Sequence, residues 1–87
     1  MKYLHSYMSE YLEFKEIEVR TKTRQWSIIS QSSGDILGAI KWYGAWRQFT
    51  FFPMPGTIWN SGCLTEIHEF LQSAQKDWRE SKNEGRN

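Results

Sequence analysis

Cysteine, proline and net charge are all scarce in this chain: one Cys, two Pro, and a balance of +1 from 11 basic and 10 acidic residues. Cys63 alone can form no internal disulfide and no cysteine-based zinc site, so a reducing cytoplasm is the expected setting. The near-zero charge excludes a polybasic nucleic-acid binder, and the ordinary apolar content excludes a disordered tail. No apolar run approaches the roughly 18 residues that span a bilayer. The opening "MKYLHSYMSEYLEF" has polar residues throughout and a glutamate, and lacks the apolar centre of a secretion signal. There is no glycine-rich phosphate loop, no internal repeat and no linker.

Rings are abundant instead: five Trp, five Phe and four Tyr in 87 residues. A chain of this length makes one domain, 1–87, and leaves about 40% of its unfolded surface in water, so large side chains must supply the core. Leu4, Tyr7, Met8, Tyr11 and Leu12 recur at three- and four-residue spacing, which predicts an N-terminal amphipathic helix. From Lys15 the period is two. "KEIEVRT" and "RQWSIIS" read as strands, and "SSGD" as a tight turn in which Gly34 takes a positive φ. "ILGAIKWY" and "WRQFTFF" read as a hairpin around a two-residue turn at Gly44-Ala45, stopped by Pro53 and Pro55-Gly56. Leu64, Ile67, Leu71, Ala74 and Trp78 form one apolar stripe on a C-terminal helix that Asn60, Ser61 or Gly62 would start. The tail from about residue 80 is expected to fray. The expected fold is α+β: an antiparallel sheet of three to four strands, with the N-terminal helix and the C-terminal helix packed on it.

Alternation sorts the rings of "IKWYGAWRQFTFF". Ile36, Ile40 and Trp42 share one face, Leu37, Ala39 and Tyr43 the other; Phe49 and Phe51 go with Arg47, and Phe52 with Gln48 and Thr50. One helix covers only one sheet face. Most rings belong to the core, and the remainder form a displayed patch beside Lys41 and Arg47, of the residue types that dominate interaction sites. Stacking rings with two cations also suit single-stranded nucleic acid or RNA. Against that, residues 26–59 hold only Lys41 and Arg47 against Asp35, too few for a phosphate-tracking groove. The helix–strands–helix order matches double-stranded RNA-binding domains, but their lysine-rich start to the last helix is absent.

Catalytic candidates are thin. Cys63 and His68 sit about 140° apart around one helix and cannot pair as nucleophile and base. Cys63 suits a small packing residue beside the stripe, and His68 a solvated surface position. A metal would need His5 and His68 to meet across the fold. The expectation is no catalytic residue, no metal and no cofactor.

The pattern IKWY-x-x-WR-x-F, followed by CL-x-x-I-x-x-F, lies between Trp26 and Leu71. It resembles a family of small, largely uncharacterised proteins of bacterial genomes, prophages and phages. That family carries no established activity, so no residue role transfers. The resemblance implies context: a phage accessory protein in the host cytoplasm, of the kind that binds and blocks a host protein such as a defence component. The combined reading is a non-enzymatic binding protein, with Lys41, Trp42, Tyr43, Trp46 and Arg47 as contacts for a host protein. Nucleic acid is the second choice of partner, a homodimer through the leftover apolar face is the third, and no membrane is involved.

Overall fold

Where the spacing predicts a first helix, the chain makes a hairpin. The computed structural model describes residues 3–19 and 23–84, with side chains at 6–19 and 23–81. Strand β1, Tyr3–Met8, turns at Ser9–Leu12 into β2, Leu12–Ile17, with Tyr7 opposite Phe14. The turn is densely bonded: Ser9 N–H donates to the Leu12 carbonyl at 2.9 Å, and the Gln31 amide donates to the carbonyls of Ser9 and Leu12. Five apolar residues over nine positions fit a helix, but Phe14 and Leu12 find full burial only if this segment is extended. Tertiary packing decides short segments of this kind. The expected strand over residues 15–21 correspondingly starts earlier, at Leu12, and residues 20–22 lie outside those described.

Three further strands complete the sheet: β3, Gln25–Ser30; β4, Ile36–Tyr43; and β5, Gln48–Pro53. All five run antiparallel in the order β1-β2-β3-β4-β5, so each strand pairs with its chain neighbour. The expected three to four strands are thus five, and the described residues contain one helix, α1, Ser61–Glu84. The class is α+β. Gly34, at φ +79°, turns β3 into β4. Asn60 caps α1, its side-chain oxygen accepting the Cys63 N–H at 2.9 Å. The helix extends to Glu84, and residues 85–87 lie outside those described.

The core lies between α1 and the sheet face carrying Leu12, Phe14, Trp26, Ile28, Ile40 and Phe49; Ile67 and Ala74 are its buried helix residues. The packed stripe of α1 differs from the expected one: Leu64 is 47% exposed, and Phe70 replaces it, stacked on Phe14 at 4.2 Å between centroids. Ile36 is also displaced from its expected face. A bulge between Ile28 and Ile29 lets β4 carry one extra residue, which leaves Ile36 opposite Ile29 and 52% exposed, while Leu37 packs against the core. Gly38 is the floor under Phe51: a Cβ there would stand 2.7 Å from the Phe52 carbonyl oxygen and 2.9 Å from the Phe51 ring. The opposite face of the sheet has no helix over it among the described residues.

Candidate functional site

The β4–β5 connection is longer than a two-residue turn. Tyr43 pairs with Gln48, so Gly44, Ala45, Trp46 and Arg47 all belong to the loop. Two successive turns close it: Trp46 N–H donates to the Tyr43 carbonyl and Arg47 N–H to that of Gly44, both at 3.2 Å. Arg47 then returns the chain to β5 with φ +54°, among the described residues the only non-glycine at positive φ. That conformation costs an L-residue about 1–2 kcal/mol. Trp46 therefore leaves the strand, where it was expected opposite Tyr43, and Arg47 leaves the face it was expected to share with Phe49 and Phe51.

The loop still brings the rings together. Trp46 is 63% exposed and meets Tyr43, 39% exposed, edge to face at 4.9 Å. Tyr43 leans in turn towards Phe52 at 6.3 Å, and Lys41 Nζ sits 4.7 Å over the Phe52 ring. Lys41, Tyr43, Trp46 and Arg47 are all exposed, and from residue 36 to residue 65 the chain carries no carboxylate to neutralise the two cations. Trp42 faces the other way. Its ring packs on Trp78 at 4.7 Å and edge-on to Phe49 at 5.3 Å, beneath α1. Phe52 is the member of the patch that the sequence reading left out of the contact set. Its place was signalled by alternation with Thr50 and Gln48, on the face that no helix covers.

Round the β5 edge, Trp46 also lines a groove of about 490 Å³ between β5 and α1, with Phe51, His68 and Arg79. His68 is a surface residue there, and the His5 side chain lies outside those described. Cys63 is half-buried against the core and unpaired. Among the described residues no group of three or more His, Cys, Asp or Glu is placed to hold a metal ion. None of their helices is long and apolar enough to cross a membrane.

A second concavity, of about 450 Å³, lies between α1 and the β1 end of the sheet, with Tyr7, Phe14, Trp26 and Phe70 among its walls. Arg24 reaches into it and forks onto the buried Glu16, Nε and one terminal nitrogen donating at 2.7 and 2.8 Å. The same guanidinium lies 4.9 Å from the Trp26 ring centroid. The hydrogen bonds that Arg24 donates to Glu16 hold its pKa above the ordinary value, outweighing partial burial, with the charges of Glu16 and Asp77 adding to the effect.

Compared with known proteins, the chain is similar to a phage protein described as an uncharacterised 9.3 kDa protein of Acholeplasma phage L2. The two are 26% identical over 70 residues, covering 79% of this chain and 90% of the relative. No family model and no solved structure matches.

Proposed function

We propose that this protein is a phage accessory protein that acts by binding, without catalysis of its own. Its contact surface would be the β4–β5 loop and the uncovered strand face beside it. Lys41, Tyr43, Trp46 and Arg47 meet the partner, and Phe52 backs them. One observation carries this reading: a mutually packed set of rings at an exposed loop, with Lys41 over one of them, in a stretch of chain that holds two cations and no carboxylate. Rings and arginine of this kind anchor protein interfaces because they bury large area with few rotors to freeze. The phage relative supports the phage context alone; within this proposal the place of action is the host cytoplasm, the target is a host protein, and binding inhibits it. The partner surface is acidic or carbonyl-rich, matching Lys41 and the fork of Arg47.

Affinity capture from host lysate, with and without nuclease, tests the reading. Nuclease-resistant enrichment of one host protein by the wild type, lost with Trp46→Ala, is the expected result. Capture that disappears on nuclease treatment and falls steeply with salt assigns the same rings to nucleic acid instead.

A further inference from the structure

The two edges of the sheet are finished differently. At β5 the outward N–H of Phe49 is taken by the Gln75 side-chain oxygen at 3.0 Å. Two and four residues on, alternation points Phe51 and Pro53 the same way, and proline has no N–H to offer. These are the devices that stop an edge from recruiting another strand. At the other edge, β1 pairs among the described residues on one side only, with β2. Its irregularity is confined to the stretch between Tyr3 and Ser6, so Ser6–Met8 is regular and open.

Beside that open edge lies the 450 Å³ cleft. Glu66, Glu69, Ser73 and Asp77 step by three, four and four along α1 and all face it. At 100° per residue they fall within a stripe about 80° wide. Glu66 is occupied: it accepts from the Ser9 hydroxyl and from the Tyr11 N–H, tying the first hairpin to the helix. Glu69 and Asp77 are exposed and accept no hydrogen bond among the described residues, Asp77 lies within electrostatic reach of Arg24, and Arg24 is the one cation among the described residues of the cleft wall. The cleft already holds one guanidinium, forked on Glu16 and laid on an indole, and the described residues of its wall carry three carboxylates, Glu66, Glu69 and Asp77, against that one cation. Tyr7, 56% exposed with its ring 5.8 Å from Phe70, offers a second face on which a cation can rest.

We infer that this cleft binds an extended protein segment carrying lysine or arginine, laid along the open edge of β1. The segment extends the sheet by backbone hydrogen bonds, and its alternate side chains point under α1 at Glu69 and Asp77. This second surface has the opposite charge to the β4–β5 patch, so it selects a different partner segment, and its test is independent of that patch.

The probes are two octapeptides, one alternating lysine with valine and the other glutamate with valine, titrated into the full chain at low salt and followed by amide NMR. The lysine peptide is expected to bind, with shifts concentrated at Ser6–Ser9 and along the cleft side of α1, and the glutamate peptide to leave the spectrum unchanged. The double variant Glu69→Gln/Asp77→Asn should weaken the lysine peptide about 5–20-fold, as losing two partly exposed charge pairs does. Both positions are exposed, so its circular dichroism and melt should match the wild type. No binding of the lysine peptide, equal affinity for the folded double variant, or shifts confined to the β4–β5 loop would each overturn the inference.

Discussion

Arg47 and Gly38 hold opposite conformational positions. Arg47 occupies the backbone region that glycine prefers, and Gly38 occupies an ordinary strand position where only the absence of a side chain is tolerated. For Gly38→Ala the added methyl must push on the Phe52 backbone, an overpacking worth about 1–3 kcal/mol of lost stability. Gly44→Ala, with nothing within 4 Å and no positive φ, should be nearly silent in the same denaturant titration. A strained non-glycine at a displayed loop points to a side chain retained for contact rather than for folding. Both features were beyond sequence reading. Gly38 is needed because Phe51 lies over it from the neighbouring strand, and Arg47 because the register Tyr43–Gln48 leaves four residues to close the loop.

At the level of elements, the last helix and the central hairpin were legible, because their periods run long enough to separate 3.6 from 2. The first hairpin was not. Its apolar spacing spans nine residues and suits either element, and the deciding contacts come from Gln31 and Glu66, far along the chain. The helix stripe was read one position off at its edge: Phe70 is in and Leu64 is out. Accordingly Ile67→Ala should cost about 2–5 kcal/mol, the range for emptying a core site. Leu64→Ala should cost well under half of that in the same thermal melt. The Glu16–Arg24 pair joins β2 to the start of β3. Glu16 is 5% exposed, so Arg24→Ala takes a two-pronged, charge-assisted contact from a buried carboxylate. The loss should be roughly 1–3 kcal/mol, less than for a fully buried pair because the guanidinium is half in water. Arg24→Lys should recover only part of it, since an ammonium cannot reproduce the fork.

Across the whole molecule the near-zero net charge conceals a division. Among the described residues, the β4–β5 loop and the groove beside it carry Lys41, Arg47 and Arg79, while the cleft at the β1 edge carries Glu66, Glu69 and Asp77 against Arg24 alone. Composition hides such a division, and only the fold makes it visible, because the acidic and basic flanks of one helix are interleaved in sequence. The candidate patch was half legible. Alternation separates Tyr43 from Trp42, and both Lys41 and Tyr43 are exposed, but it could not foresee that Trp42 would be claimed by Trp78. The central claim is that the loop surface binds the host partner, and Arg47→Gly tests it most directly. Glycine relieves the strain at φ +54° while removing the guanidinium, so the melt should be unchanged or raised by up to about 1 kcal/mol. Quantified capture of the host partner by this variant should fall by more than about 1–2 kcal/mol in affinity. Undiminished capture by a variant that melts like the wild type would contradict the claim.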